Sequence, residues 1–281
     1  MSKNPQLKFA VQDGTGFTMN YEVMDAVLPQ TTLFIHGNLA SNRWWYPTQD
    51  VLMKNNQSLG FTGGFTGKMI TAEFRGCGQS TAPQTESELT MDRLANDFIA
   101  LVKANNWGKI NLVGHSTGGL IAGLMLAKAP ELFNKAVLLD PVGAKGVTFQ
   151  ESMTAAFEQM KQNKSLVSMI MASTIHKNDD QSDFFRQVVV EDAFAAVSKV
   201  GVLVLKALDG LDSTAQISTV THPVLVLHGE HDGLLPMEDS KQMAALMKNG
   251  QFKVIPGHGH CTNVENPTTF VQLMSDFLFK T

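Results

Sequence analysis

The feature that most constrains the fold of this chain is a serine enclosed by glycines, which follows an apolar run and precedes a helical pattern. The segment is Leu112-Val113-Gly114-His115-Ser116-Thr117-Gly118-Gly119. Residues 110–113 favour a buried strand, and residues 120–128, which end before Ala129-Pro130, favour a helix. The glycines permit a sharp turn that lifts the Ser116 hydroxyl above the edge of a sheet. We therefore expect a strand, a tight turn and a helix, with a candidate nucleophile at the turn.

The remaining pattern alternates strands with helices. Apolar runs predict strands at 7–11, 17–24, 31–35, 69–74, 136–139, 223–227 and 252–255. Helical spacing occurs at 48–54, 91–102, 237–248 and 267–278. Strands that are apolar on both faces and are separated by helices predict an α/β fold with a mostly parallel sheet covered on both sides. Ligands of such sheets bind beyond the carboxyl ends of the strands, which is where His36, Ser116, Asp140 and Asp232 fall.

The alternation stops between residues 142 and 221, where only helix-like runs are visible. The methionines of this stretch suit either an adaptable apolar surface or ordinary core positions: Met153, Met160, Met169 and Met171. Because the sheet pattern resumes at residue 223, we expect two parts. Residues 1–141 and 222–281 would form the core domain, and residues 142–221 a helical cap over the strand ends.

The composition narrows the function classes. The 281 residues carry a formal net charge of −4, with a pI near 6.0, so no basic field favours nucleic acid or an anionic membrane. We expect no secretion signal, no membrane span and a cytoplasmic location, because no uninterrupted apolar run approaches ~18 residues. Cys77 and Cys261 are too few for a disulfide framework and lack the paired spacing of a zinc finger. The glycine-rich stretch 60–68 lacks the spacing of a phosphate-binding loop.

A serine hydroxyl needs a base to act as a nucleophile, usually a histidine oriented by a carboxylate. Asp232 follows one predicted strand, and His260 follows the last one, which gives the chain order Ser, acid, His. Asp140 also follows a strand and competes as the acid, and His258 competes as the base.

Four motifs lie in order at predicted strand ends: His36-Gly37-Asn38, Gly114-His115-Ser116-Thr117-Gly118, His228-Gly229-Glu230-His231-Asp232 and Gly257-His258-Gly259-His260. With these motifs the sequence resembles the α/β-hydrolase superfamily, specifically its capped, esterase-like members, over nearly its whole length. The resemblance implies the α/β-hydrolase fold, with Ser116 as nucleophile, Asp232 as acid and His260 as general base. It also implies an oxyanion hole formed by the backbone N–H groups of Asn38 and Thr117. Each histidine of the last two motifs is better explained by its motif than by a four-histidine metal site, so we predict no metal.

One loop departs from the family pattern. The family often has Asp-x-Arg-Gly-x-Gly-x-Ser, where this chain has Glu73-Phe74-Arg75-Gly76-Cys77-Gly78-Gln79-Ser80. We expect its glycines and Arg75 to shape a turn and not to take part in chemistry, so that Glu73 is tolerated there.

Serine at the turn opposes dehalogenase or epoxide hydrolase chemistry, for which related proteins use aspartate. The sequence predicts a serine hydrolase that cleaves a small to medium apolar carboxylic ester, with a small-molecule ester as its partner and no cofactor. Four residues are expected to lie at the substrate pocket: His36, Trp44, Trp45 and His115. An acyl-lactone hydrolase, a carbon–carbon bond hydrolase and a small-molecule receptor stay open as alternatives, and the oligomeric state, monomer or dimer, stays open too.

Overall fold

A central sheet of eight strands organises the molecule, which is described by a computed structural model over residues 5–55 and 66–280. The strands are β1 (Gln6–Ala10), β2 (Thr18–Leu28), β3 (Thr32–Ile35), β4 (Gly67–Ala72), β5 (Ile110–His115), β6 (Phe133–Leu139), β7 (Pro223–Gly229) and β8 (Asn249–Ile255). Their order in the sheet is β1-β2-β4-β3-β5-β6-β7-β8. Strand β2 pairs antiparallel with β1 and β4, and every other pairing is parallel. The predicted α/β fold with a mostly parallel sheet is confirmed.

Helices cover both faces of the sheet. They are α1 (Tyr46–Asn55), α2 (Met91–Asn105), α3 (Thr117–Lys128), α4 (Glu151–Met160), α5 (Lys164–Thr174), α6 (Val190–Val200), α7 (Leu203–Leu208), α8 (Thr214–Ile217), α9 (Met237–Leu246), α10 (Thr262–Glu265) and α11 (Pro267–Phe279). Helices α2, α3 and α9 contribute to the core on one face, and α1 and α11 to the core on the other. In the part of the chain that the structure describes, no helix has the length and apolarity to cross a membrane.

Element boundaries differ from the prediction mainly around β8. The predicted helix ran to Lys248, but α9 ends at Leu246 and β8 already begins at Asn249. The backbone turns tightly here, because a Cβ atom on Gly250 would lie 2.1 Å from the carbonyl oxygen of Ala244. The first part of the glycine-rich stretch, residues 60–65, lies outside the described residues.

Between β6 and β7, the described chain contains helices α4 to α8 and no strand. One π-helical turn, Phe185–Val189, leads directly into α6. The two ends of this insertion are joined, because the carbonyl oxygen of Ala144 accepts hydrogen bonds from both the N–H (2.8 Å) and the hydroxyl (2.7 Å) of Ser213. The start of the insertion and the segment that leads into α8 are therefore held together.

Candidate active site

The glycine-enclosed serine lies at the sharp turn between β5 and α3. Ser116 has φ 54° and ψ −122°, a backbone conformation that non-glycine residues rarely adopt. The neighbouring glycines permit it: a Cβ on Gly114 would lie 2.3 Å from the carbonyl oxygen of Gly118, and a Cβ on Gly118 would lie 2.4 Å from that of His36. The turn thus holds the serine at the carboxyl end of a central strand.

Asp232 and His260 form a buried hydrogen-bonded pair at the ends of β7 and β8. His260 Nδ1 lies 2.7 Å from Asp232 Oδ2, and Asp232 Oδ1 accepts the N–H groups of Leu234 (2.7 Å) and Leu235 (3.1 Å). Burial acts to raise the pKa of Asp232, but the bond and charge of His260, together with the two N–H groups, hold that pKa below its usual value. Asp232 is therefore an ionised carboxylate, and His260 Nε2 is the ring nitrogen left for another partner.

His115 connects the serine turn to the His260 loop. Its Nε2 donates to the carbonyl oxygen of His260 at 2.9 Å, and the two ring centroids lie 4.8 Å apart. Burial lowers the pKa of His115 to about 3, so its ring is neutral near pH 7. Among the described hydrogen bonds none joins Ser116 Oγ to His260, and such bonds are often long before a substrate binds. The His260 loop is thus held against His115, the residue before Ser116.

The predicted oxyanion donors lie on both sides of the serine. A Cβ on Gly37 would lie only 3.0 Å from the Ser116 Cβ, so the loop after β3 passes directly over the serine. Asn38 follows in this loop, and Thr117 begins α3. Over residues 5–55 and 66–280, neither backbone N–H donates to a protein acceptor. The positive end of α3 favours negative charge next to Ser116.

Three of the predicted pocket residues, His36, Trp44 and His115, are buried, and each stacks on another ring. His36 is fully buried, stacks on Phe74 at 4.4 Å between ring centroids, and donates from Nδ1 to the Gly37 carbonyl at 2.7 Å. Burial lowers its pKa to about 4, so it is neutral. Trp44 stacks on His115 at 6.3 Å.

Trp45 lies elsewhere, which corrects its predicted place at the pocket. Its ring packs against Phe34 at 5.2 Å and Phe270 at 6.0 Å, in the core beneath α1 and α11. The side chain is completely buried there. Adjacent residues of the 3₁₀ turn Asn42–Trp45 point to different sides, so only one of the two tryptophans can face the serine.

The competing acid and base candidates take other partners. Asp140 Oδ1 accepts the N–H of Gly229 at 2.7 Å, and Asp232 is the carboxylate hydrogen-bonded to His260. The Nδ1 of His258 bonds the carbonyl of its neighbour Pro256 at 2.7 Å.

Possible metal ligands converge at one point in the described chain, where atoms of Asp140, Asp232 and His260 lie within 4.8 Å of one another. The ring nitrogen that faces the carboxylates is His260 Nδ1, and it is already engaged with Asp232. The donor set is that of a hydrogen-bonded acid and base, and we assign no metal to it.

Glu265 is a functional candidate that the sequence analysis missed. Its carboxylate accepts three backbone N–H groups, from Gly259 (2.7 Å), Cys261 (3.0 Å) and His176 (3.0 Å). It thereby fixes the loop on both sides of His260 and ties it to the end of the insertion's helix α5. Its position five residues after His260, directly before the Asn266-Pro267 helix start, was the available signal.

Asp192 is a second missed residue. It lies on α6, and its buried carboxylate accepts the Ser41 hydroxyl and the Arg43 guanidinium, with Nε at 3.0 Å. These partners follow Asn38 closely in sequence. The contact therefore joins the insertion to the loop that carries a predicted oxyanion donor. No local motif marks a buried aspartate on a helix, so sequence alone gave no signal.

Glu73 supports the same loop from the core side. Its buried carboxylate accepts the N–H of Asn42 (3.3 Å), the N–H of Gln79 (2.7 Å) and the side-chain amide of Asn20 (3.0 Å). Burial raises the pKa of Glu73 to about 7, against those hydrogen bonds. The glutamate is thus a structural acceptor that binds two loops together.

Comparison with known proteins agrees with this architecture. The pattern of the family described as alpha/beta hydrolase fold matches residues 32–267, most of the chain, so the protein belongs to this family of hydrolases. The esterase EaEST from Exiguobacterium antarcticum superposes with a TM-score of 0.78 at 19% identity, over 96% of this chain and 98% of that one, which is a likeness of fold.

Two curated relatives show how widely the family varies. The chain is 26% identical over 253 residues to protein ABHD8 of Bos taurus, which covers 87% of this chain and 55% of that protein. It is 26% identical over 221 residues to 2-hydroxymuconate semialdehyde hydrolase of Pseudomonas sp. strain CF600, covering 75% of this chain and 76% of the relative. The chain thus spans about half the length of the first relative and three quarters of the second.

Proposed function

We propose that this protein is a serine hydrolase that cleaves small to medium apolar carboxylic esters through an acyl-enzyme. The observation that carries the proposal is the buried Asp232–His260 hydrogen bond of 2.7 Å beside the strained turn of Ser116. A base oriented by an ionised carboxylate next to a raised serine is the arrangement that acyl transfer requires.

In the proposed mechanism Ser116 Oγ attacks the ester carbonyl while His260 Nε2 accepts its proton. Asp232 stays ionised, holds Nδ1–H and stabilises the imidazolium that forms. The imidazolium then protonates the leaving alcohol, and an acyl-enzyme remains on Ser116. Water activated by the same nitrogen releases the acid.

The negative oxygen of the tetrahedral intermediate would be bound by the N–H groups of Asn38 and Thr117. Each donor of this kind typically contributes ~3 kcal/mol to transition-state stabilisation. Because both donors are backbone groups, their availability depends on the position of the backbone and not on the identity of the side chains. The contacts of Glu73 and Asp192 near Asn38 therefore matter for rate.

The helical insertion would act as a cap that covers this site. Ser116 is 8% exposed and His260 4%. The end of α5 contacts the His260 loop, where Cys261 Sγ donates to the carbonyl of Thr174 at 3.5 Å. Ile175 lies next to His176, which contacts this loop through Glu265. Val142 donates its N–H to the carbonyl oxygen of Ser116. Both Ile175 and Val142 are buried. Apolar residues beside a covered site support an apolar acyl chain as substrate.

Hydrolysis of a series of nitrophenyl esters, from acetate to laurate, tests this proposal. Ser116→Ala and His260→Ala should each lower kcat/KM by about 10³-fold or more. Matched controls are Ser218→Ala, an exposed serine on the cap, and His258→Ala, the neighbouring histidine; both should keep activity near that of the unmodified protein. Equal losses in His258→Ala and His260→Ala would contradict the assigned base.

Negligible turnover of every ester by the unmodified protein would overturn the esterase proposal. The second candidate is then a carbon–carbon bond hydrolase, which the likeness to 2-hydroxymuconate semialdehyde hydrolase favours. Consumption of that semialdehyde, lost in Ser116→Ala, would establish it. Ligand-induced thermal stabilisation without turnover would instead indicate a receptor.

A further inference from the structure

We propose that Asp140 is a positioning residue of the Asp232–His260 pair, a carboxylic acid that keeps its proton at neutral pH and donates a hydrogen bond to the Asp232 carboxylate. The role in catalysis rests on the proposed function, whereas the protonation itself does not. The residue ends β6 and lies behind the pair, so it acts through Asp232 and does not contact a substrate.

The backbone holds Asp140 in a fixed and costly conformation. Its φ is +42°, in a region that residues other than glycine rarely adopt. Its N–H donates to the carbonyl of Leu227 on β7 at 2.8 Å. The side chain is completely buried, and Oδ1 accepts the N–H of Gly229. Both neighbouring contacts are made with β7, the strand that leads to Asp232.

The hydrogen bonds around Asp140 fit an acid better than a carboxylate. Its Oδ2 has no partner among the described residues, so a charged form would be buried with one N–H donor for two oxygens. A protonated Oδ2 needs only one acceptor. The carboxylate of Asp232 is the neighbouring acceptor: an oxygen of each acid lies within 4.8 Å of the other, and the two side chains are hydrogen-bonded.

The charged groups that face Asp140 also favour its neutral form. Asp232 and Glu265 are both acidic, and two carboxylates this close cannot both ionise readily. His228 Nδ1 lies 3.4 Å from Asp140 Oδ1 but hydrogen-bonds Ser240 Oγ at 2.9 Å, and burial lowers its pKa. The ring of His260 hydrogen-bonds Asp232 through Nδ1.

The two acids therefore divide their roles. Burial, followed by the charge of Asp232, raises the pKa of Asp140 well above its usual range, whereas the pKa of Asp232 is lowered. Asp232 then receives an O–H donor in addition to two N–H donors and the ring of His260. Four donors leave its carboxylate no freedom to rotate away from Nδ1.

Two substitutions distinguish the hydrogen-bond donor of Asp140 from the volume of its side chain. Asp140→Asn retains a donor toward Asp232 and an acceptor for Gly229, so we expect it to keep much of the turnover, with a loss of about threefold. Asp140→Leu retains volume without a donor and should lose about thirtyfold or more in kcat with KM little changed. Rescue by asparagine relative to leucine is the expected result.

The protonation state has a direct spectroscopic test. The infrared carbonyl band of a protonated carboxylic acid should be present in the unmodified protein at about pH 8 and absent in Asp140→Asn. Glu73→Gln is the matched control, because Glu73 is another buried acid with a raised pKa, about 7, and it is mostly ionised at that pH. No band difference between the unmodified protein and Asp140→Asn would overturn the proposal.

The pH profile gives an independent outcome. If Asp140 were ionised, Asp140→Asn would remove a negative charge near His260 and move the acid limb of kcat/KM to lower pH by about one unit. For a protonated Asp140 the limb should stay within about 0.3 unit.

The failure of this proposal is distinguishable from failure of the proposed function. If the unmodified protein hydrolyses no ester, the infrared band still reports on Asp140, as does thermal stability. A raised folded-state pKa means that stability supplied by the protonated group is present below the unfolded pKa and is lost as pH rises. The stability of Asp140→Asn relative to the unmodified protein should thus rise with pH, and a constant difference would contradict the proposal even if Asp140→Leu does not fold.

Discussion

The strand-end loops and the helical insertion are held in place by different kinds of contact. In α3, which follows the serine, ten of twelve residues are buried, and its first two glycines, Gly118 and Gly119, lie against the backbone of other segments. In α4 only Met160 is buried, and in α5 only Val167 and Met171 are. The serine turn therefore depends on backbone contacts that leave no room for an added atom, whereas most side chains of α4 and α5 can change without disturbing a buried contact.

Several hydrogen bonds and ion pairs connect the insertion to the core. Asp192 binds Ser41 and Arg43, Lys199 Nζ donates to the Gly78 carbonyl at 2.6 Å, and Lys206 pairs with Glu86 at 3.0 Å. These bonds differ in how deeply they are buried. We expect the more deeply buried bonds to contribute more to the free energy of unfolding.

The largest loss of stability is expected from substitution of Gly118 in α3. Gly118→Ala places a Cβ 2.4 Å from the carbonyl oxygens of His36 and Ile35, which belong to backbone and cannot move aside. We expect a loss of about 3 kcal/mol or more in the free energy of unfolding, together with loss of turnover. Urea denaturation measures the first quantity.

The control for this substitution lies in the same helix. In Gly123→Ala the new Cβ meets the side-chain ends of Met243 (2.8 Å) and Ile217 (3.0 Å), which can shift. Its cost should be within about 1 kcal/mol. If both substitutions lowered the free energy of unfolding by similar amounts, contact with backbone atoms would be no less tolerant of an added Cβ than contact with side-chain ends.

Asp192→Asn should have the next largest effect. It removes a buried charge from the Arg43 guanidinium and weakens the support of the Asn38 loop, so we expect a loss of about 2 kcal/mol in unfolding free energy and a several-fold fall in kcat. Asp183→Asn, which removes an exposed partner of Arg186 on the insertion, is the control and should change neither. An unchanged kcat in Asp192→Asn would show that the insertion does not support the oxyanion loop.

Glu73→Gln tests the core side of the same loop through pH. The folded-state pKa of Glu73, about 7, exceeds its reference value of 4.5, so the stability it supplies is present below about pH 4.5 and is lost as pH rises through about 7. Relative to Glu73→Gln, the unmodified protein should lose stability over this window, by up to about 3 kcal/mol in all. Denaturation curves at several pH values measure this loss, and parallel stability profiles would contradict it.

The smallest effect is expected from Lys206→Gln. Its ion pair with Glu86 joins the insertion to the core at an exposed position, with side chains 44% and 62% accessible. Exposed pairs contribute about 0.5 kcal/mol or less, so thermal unfolding and ester turnover should be nearly unchanged. A loss as large as that of Asp192→Asn would show that burial does not rank these bonds.

Local signals were sufficient for the fold and for much of the site. The strand before Ser116, the glycines around it and the positions of Asp232 and His260 after strands follow from short stretches of sequence. Thr90, a residue type that commonly caps helices, directly precedes α2, and its hydroxyl accepts the N–H of Arg93 at 3.2 Å. Each of these features is encoded within a few residues.

Contacts between distant segments could not be obtained in this way. Trp44 and Trp45 are neighbouring residues of the same type, and the packing of Trp45 against Phe34 and against Phe270, from the far end of the chain, places it in the core. Asp192 and Ser41 are separated by about 150 residues, as the hydrogen bond between them shows. The place of Asp140 beside Asp232 depends on the adjacency of β6 and β7 in the sheet.

The bond between Ala144 and Ser213 has a consequence for how such proteins diversify. Because Ala144 and Ser213 are hydrogen-bonded, the segment between them can change in length without altering any strand connection. A short loop could bridge the same two residues, and a different helical bundle could be inserted there. Such an exchange would leave the order of the eight-stranded sheet unchanged, together with the strand ends that carry Ser116, Asp232 and His260.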